Sequence, residues 1–231
     1  DNWPDIYICN DYFQKDHLYI NQKNGTFSEE IDKYFDHISF ASMGNDAADF
    51  NNDGFIDLIT LDMLPESYAK RKQTINAASY IHYINDEKYG YEHQYVRNML
   101  HLHNGFIDGK MLPYSEVGQI AGISKTEWSW APLFADYDND GDKDLIVTNG
   151  YLRDMTDKDW FQFMIKNKRS GMSDQEIINM MPAVKVPNIA FENKGYLNFI
   201  KHSSWLPDSP SYSYGASYAD LDNDGDLDYV V

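Results

Sequence analysis

Cysteine is all but missing. Cys9 stands alone among 231 residues, which excludes an intramolecular disulfide and a cysteine-based zinc site within one chain. Thiol usage therefore says nothing about redox compartment. Long apolar runs are missing too: no stretch reaches the ~18 residues that read as a membrane-spanning helix. The first residues lack the basic, apolar and small-residue zones of a signal peptide, so the chain reads as mature or excised. Positive charge is scarce, with 19 Lys and Arg against 37 Asp and Glu, for a formal charge of −18. Such a chain repels nucleic-acid phosphates and anionic membranes and favours cations. Neither a Gly-x-Ser-x-Gly elbow, a phosphate-cradling glycine loop nor a His-Glu-x-x-His pair occurs. Acidic pairs such as Glu29 and Glu30 are too common in an acidic chain to count as glycosidase carboxylates. Enzymatic activity thus has no positive support in the sequence.

What is present is an ordered interior, with 42% hydrophobic and 15% aromatic residues, and an internal repeat. Asp49, Asn51, Asp53, Gly54 and Asp57 open a nine-residue loop followed by Leu58, Ile59 and Thr60. The same frame returns as Asp136, Asp138, Asp140, Gly141, Asp142 and Asp144 before Leu145, Ile146 and Val147. It returns again as Asp220, Asp222, Asp224, Gly225, Asp226 and Asp228 before Tyr229, Val230 and Val231. A truncated copy lies at residues 1–5, ahead of Ile6, Tyr7 and Ile8. Upstream, Ser42-Met43-Gly44, Ser129-Trp130-Ala131 and Ser213-Tyr214-Gly215 keep one distance from each loop, and Ala48, Ala135 and Ala219 directly precede it. Leu18 to Asn21 with Gly25 and Phe27, and Ala190 to Asn193 with Gly195, read as strand, turn, strand, with Met99 to Asn104 and Gly105 as a looser version. The unit is therefore strand, Asn/Gly turn, strand, linker, small-residue strand, aspartate loop, strand.

A hard cation with six to eight oxygen ligands needs several carboxylates drawn to one point by a tightly curled backbone. Loop positions 1, 3, 5 and 9 supply side-chain oxygens, and position 7 (Phe55, Asp142 or Asp226) offers its backbone carbonyl. The glycine at position 6 permits the sharp bend. These loops are expected to hold Ca²⁺, about three ions in all, in a structural and not a catalytic role. The EF-hand is excluded because Thr60, Val147 and Val231 stand where its bidentate Glu belongs and β-branched runs replace its helices. Tandem β-helix nonapeptides are excluded because the loops do not recur every nine residues.

With these motifs the chain resembles the FG-GAP, or VCBS-type, repeats of integrin α-subunit propellers, most closely their bacterial and cartilage-acidic-protein-like branch. The three Asp-x-(Asp/Asn)-x-Asp-Gly-x-x-Asp loops, the small residues before them and the turn from Asn24 to Phe27 carry the resemblance. It implies an all-β fold with helical insertions, built of β-propeller blades with Ca²⁺ in hairpin loops on one face, in surface or secreted proteins. Asn51 and Ala131 depart from the pattern, and the loop at 49–57, one carboxylate short, is expected to bind more weakly. Both ends of the chain fall just after an aspartate loop, and closed propellers have roughly four to eight blades. The expectation is one partial propeller domain over residues 1–231, with about three repeats, belonging to a larger propeller of the seven-bladed type.

The loop spacing demands insertions, expected as helices at about 65–84 and 154–182. Ala77, Tyr80, Ile81 and Ile84 mark one helical face; Thr156 with Asp159, and Ser173 with Glu176, resemble capping boxes, the latter stopped by Pro182. His82, His93, His101 and His103 cluster enough to raise a zinc or general-base reading, though a sheet edge explains them equally well. Trp128, Trp130, Tyr212 and Tyr214 are candidates for stacking a sugar ring, against the duller reading of inter-blade packing. Lys70, Arg71 and Lys72, the only basic run, read as a solvated helix face. The functional expectation is a non-enzymatic, calcium-stabilised module for adhesion, scaffolding or binding of a protein or glycan. It would take no nucleic acid and insert in no membrane, and would act in an extracellular, cell-surface, periplasmic or outer-membrane-associated setting. The alternative is the propeller portion of a carbohydrate-active lyase or hydrolase, with its chemistry in the propeller funnel or another domain.

Overall fold

The computed structural model describes residues 3–12, 14–75 and 80–231. Strands β1 (Ile6–Ile8), β2 (His17–Asn21) and β3 (Phe27–Glu29) form an antiparallel meander. The one-turn helix α1 (Ile31–Tyr34) leads to β4 (His37–Ser39), and β5 (Gly44–Ala48) and β6 (Asp57–Leu61) flank the first aspartate loop. An excursion through α2 (Tyr68–Gln73), α3 (Tyr80–Tyr89) and β7 (His93–Tyr95), which runs parallel to β4, returns to the sheet at β8 (Met99–Leu102). A small hairpin of β9 (Phe106–Ile107) and β10 (Lys110–Met111) precedes β11 (Ser115–Glu116), so the second sheet is ordered β5, β6, β8, β11. In the third sheet, β12 (Ser129–Ala135) and β13 (Asp144–Asn149) are separated from β14 (Ile189–Asn193) and β15 (Phe199–Lys201) by α4 (Lys158–Arg169) and α5 (Asp174–Asn179). β16 (Ser217–Ala219) and β17 (Asp228–Val230) pair around the last loop.

Each complete sheet is a four-stranded up-and-down meander, which is the propeller blade. The fold is thus all-β with helical insertions, and the sheets form blades without closing a ring. Each aspartate loop joins the first and second strands of a blade. Each helical insertion joins the second and third, so the helices leave from the ends of the strands opposite the loops.

The second strand of a blade is covered on both faces and reads as an unbroken apolar run. Every residue of β6 and β13 is buried. Phe50, Ile59, Leu61, Leu100, Phe134, Leu145, Val147, Phe191 and Phe199 make one core between the second and third blades. Leu18, Ile31, Phe35, Ile38 and Leu58 make another between the first and second. Gly44 shows why small residues precede the loops: a Cβ there would lie 2.1 Å from the Trp130 carbonyl oxygen of the next blade.

The helical face marked by Tyr80, Ile81 and Ile84 is exposed, not buried, and Ala77 lies outside the described residues. α4 is capped by Asp157, whose side chain accepts from the Trp160 N–H, in place of Thr156; the Thr156 hydroxyl donates to Asp154 instead. At α5 the reciprocal box of Ser173 and Glu176 is formed.

Candidate metal centres in the aspartate loops

The three loops repeat one internal wiring. The carboxylate at position 1 accepts from the glycine N–H at position 6 at 2.8, 3.0 and 3.2 Å in Asp49, Asp136 and Asp220. The oxygen at position 3 accepts from the N–H at position 5, at 3.1, 3.2 and 3.3 Å for Asn51, Asp138 and Asp222. Position 5 accepts from the N–H at position 7, at 2.9, 2.9 and 3.0 Å for Asp53, Asp140 and Asp224. Asn52, Asn139 and Asn223 at position 4 hold φ of 59°, 60° and 61°, a left-handed conformation that asparagine tolerates. Gly54, Gly141 and Gly225 follow at φ of 88°, 96° and 95°, which a side chain would strain.

Position 9 closes the loop and docks it on the blade. Asp57, Asp144 and Asp228 each accept from the N–H at position 2, at 3.4, 3.0 and 2.9 Å. The other oxygen reaches across to the third strand: Asp57 accepts from His103 N–H and Asp144 from Asn193 N–H, both at 2.8 Å. Asp5 repeats this with Asn21 N–H at 2.7 Å, as the truncated copy at residues 1–5 requires; Asp1 and Asn2 lie outside the described residues.

These backbone donors turn the carboxylates inward. Single oxygens of Asp136, Asp138 and Asp144 lie within 4.8 Å of one another, and so do those of Asp220, Asp222 and Asp224. None of the ion pairs among the described residues neutralises a loop aspartate. Burial therefore pushes the Asp57 carboxyl up to about 7, against its backbone donors and with Asp53 and Asp49 adding to the rise. Asp144 is pushed up to about 6 by burial, with Asp138 and Asp140 adding. Asp138 is raised as well, by desolvation and then by Asp140. An all-oxygen donor set with uncompensated negative charge fits a hard divalent cation. In the first loop the Asn51 amide donates to Asp53 at 2.9 Å, so one carboxylate there is partly satisfied by the chain itself.

Residues 1–60 match a family model described as an FG-GAP-like repeat. That segment runs from the truncated copy through the first blade and the first loop into β6, and over it the chain is similar to an FG-GAP-like repeat, in keeping with the blades of the fold. The wiring of the loops at 136–144 and 220–228 reproduces that of the matched loop. A search of curated proteins returns no significant match. FG-GAP repeats commonly form binding or adhesion modules, and they often bind calcium. Among the described residues no helix is long and apolar enough to cross a membrane.

The other candidates take different places. His101 is fully buried with its ring edge-on to Phe35 at 4.5 Å, and burial pushes it down to about 3, so it stays neutral. His103 stacks on Phe55 at 5.0 Å, and its Nδ1 accepts from Gly105 N–H, propping the first loop. His93 stacks on Tyr83 at 4.3 Å, and His82 lies against Phe40. Among the described residues neither metal-competent cluster includes a histidine. Trp128 is buried against Tyr151, with ring centroids 4.5 Å apart. Trp130 donates to the Gly150 carbonyl and meets Tyr214 edge-on. Tyr212 lies under Lys185. Trp128 and Trp130 line an apolar cleft of about 730 Å³ with Tyr151, Trp160 and Phe161.

Sequence reasoning missed a second repeated device. Where the chain leaves the second strand of a blade and returns as the third, the side chain just before the third strand accepts an N–H at or just past the end of the second. Asp16 takes Asn10 N–H at 2.8 Å, Asn98 takes Asp62 N–H at 2.8 Å, and Asn188 takes Asn149 N–H at 2.9 Å. The signal was available: Asn10, Asp62 and Asn149 all stand five residues after a position-9 aspartate.

Proposed function

We propose that this chain is a calcium-stabilised β-propeller module that presents loops and helical insertions for binding a protein or glycan partner, and performs no chemistry of its own. The identical wiring of three aspartate loops carries the reading. One ion per loop would be held by side-chain oxygens of positions 1, 3, 5 and 9 and the carbonyl of position 7: Asp136, Asp138, Asp140, Asp144 and Asp142 in the second loop. The ion supplies positive charge that lets buried carboxylates stay ionised, which couples metal binding to order in the loops. The binding role fits two open clefts on the insertion side, neither of whose linings pairs two carboxylates among the described residues. Calcium dependence of this kind suits an extracellular, cell-surface or periplasmic setting, where the ion is abundant.

Calcium titration of chelated protein tests the reading. The melting temperature should rise with Ca²⁺ in the millimolar range and fall back on chelation. An unchanged melting temperature sinks the metal claim, and turnover of a polysaccharide by this chain sinks the non-catalytic one.

A further inference from the structure

The basic run of α2 does not form a uniformly solvated face. Lys70 pairs with Glu127, but Arg71 and Lys72 turn toward a second cleft, of about 810 Å³, within the first insertion between α2, α3 and β7. None of the described residues lining that cleft is acidic, in a chain with 37 acidic residues. Three fixed cations line it: Arg71, Lys72 and Arg97. Arg97 is held by Glu116 through one Nη at 2.7 Å, whereas no ion pair of the described residues engages Arg71 or Lys72. The Nε–H groups of both Arg71 and Arg97 are shielded from solvent and have no acceptor in the protein. Those donors are sealed inside the protein, but the charges of Arg71 and Lys72, unpaired among the described residues on a cleft without acidic lining, point to an anionic group supplied from outside.

Aromatic rings complete the lining. Tyr68 has Arg71 at 5.9 Å and Lys72 at 5.1 Å from its ring centroid. Tyr68 and Tyr80 are 67% and 78% exposed, offering flat phenol faces beside the charges. A ligand matched to both features has an anionic group and a ring with an apolar face.

We propose that this cleft is a binding site for an acidic saccharide, with Arg71, Lys72 and Arg97 receiving its carboxylate or sulfate and the tyrosines stacking its ring. An acidic peptide would use the cations but leave the phenol faces unmatched. The site differs from the Trp128 and Trp130 cleft, and it opens on the insertion side of the blades, away from the aspartate loops. It names a ligand class for the binding module proposed above and rests on that reading.

The test is calorimetric titration of the calcium-loaded protein with four probes: a galacturonate trisaccharide, a sulfated heparin-derived tetrasaccharide, an uncharged galactose trisaccharide and a polyglutamate decapeptide. At least one acidic saccharide should bind, at least about tenfold tighter than the uncharged one, and weaken with added salt. The carboxylated and sulfated probes distinguish the two anion types. Arg71→Gln combined with Lys72→Gln should weaken binding about tenfold; Tyr80→Ala, at an exposed position, should also weaken it and guards against misfolding of the first variant. Failure of both acidic saccharides to bind, equal binding of the neutral one, indifference to both variants, or tighter binding of polyglutamate would overturn the proposal. The calcium-induced rise in melting temperature, measured on the same samples, separates outcomes: a retained rise without saccharide binding removes the cleft and leaves the metal reading intact.

Discussion

The Asn52 side-chain amide donates to Asp142 across 2.7 Å, tying the fourth residue of one aspartate loop to the seventh of the next. Asn139 does the same to Asp226 at 2.5 Å. In the proposed coordination the position-7 side chain is free for this, because the backbone carbonyl would be its contribution to the ion. Ordering one loop around a cation therefore fixes an acceptor for the loop before it. Adjacent loops should bind calcium with positive coupling, and Asn139→Ala should reduce it by roughly fivefold, the worth of one hydrogen bond. Calcium isotherms of the parent, Asn139→Ala, Asp226→Ala and the double variant form the cycle that measures this. Strictly additive single effects would show the contact to be idle.

Under the proposed calcium reading, loop carboxylates divide into those that would serve only the cation and those that also hold the blade. Asp144 is fully buried and takes two backbone donors, from Tyr137 and Asn193. Asp144→Asn replaces an acceptor by a donor and strands one of those N–H groups. It should cost about 1–3 kcal/mol even in chelator. Asp138 is exposed and its charge is opposed by Asp140, so Asp138→Asn should weaken calcium binding while leaving the chelated protein as stable as before. Urea unfolding with and without calcium reads both. Equal behaviour of the two variants in chelator would refute the division.

The metal-free protein should show an inverted pH dependence. Asp57 and Asp144 are raised to about 7 and about 6 in the fold, against roughly 3.9 in an unfolded chain. Between those limits the folded state binds more protons than the unfolded one, so their contribution to stability falls as pH rises. Glu116, brought down to about 2 with help from His37 and Arg97 despite its burial, acts in the opposite sense chiefly below pH ~4.3, and His101, pushed down to about 3 by burial, does so up to its unfolded value of roughly 6.5. In chelator the melting temperature should fall from about pH 6.5 to pH 8, above the range in which His101 opposes the raised carboxyls. In saturating calcium the fall should shrink to the small part due to Asp62, which burial also raises to about 6 outside the loops, since protons and the ion compete for the loop oxygens. A chelated melting temperature that climbs over this interval would contradict the raised carboxyls.

Much of the fold was legible because its information is local and repeated. Loops with glycine at position 6 and an apolar strand after position 9 identify a hairpin and, in the two complete blades, a buried second strand at once. The insertions were legible as spacing, but not their packing: Tyr80, Ile81 and Ile84 have helical periodicity yet face solvent, since periodicity marks an apolar stripe and does not say what covers it. The clasp at Asn98 was hidden for another reason. Asn98 donates to Ile123 and Thr126 and accepts from Asp62, partners 25, 28 and 36 positions away that become neighbours only when the blade is assembled. The coupling of Asn52 to Asp142, 90 positions apart, is likewise a property of adjacent blades. The cationic cleft escaped because Arg71 and Lys72 are separated from Arg97 in the chain by the whole of α3.

Gly44 tests whether blade-to-blade contact, more than backbone freedom, selects the small residues before each loop. Its φ is not in the left-handed region, so an alanine would meet no backbone strain. The obstacle is the Trp130 carbonyl, 2.1 Å from the position a Cβ would take, with the Pro132 ring at 3.4 Å beyond it. A backbone atom of a packed strand cannot rotate aside as a side chain can, so β5 and β12 would have to separate. Gly44→Ala should therefore destabilise by about 1–3 kcal/mol. At Gly215, the equivalent position before the third loop, a Cβ would meet no atom within 4 Å, and Gly215→Ala should be neutral or raise stability by a few tenths of a kcal/mol through the unfolded chain. Urea unfolding of the two variants in calcium makes the comparison. A Gly44→Ala variant as stable as the parent would mean that the spacing between neighbouring blades is soft, and that the aspartate ladder, not strand packing, sets it.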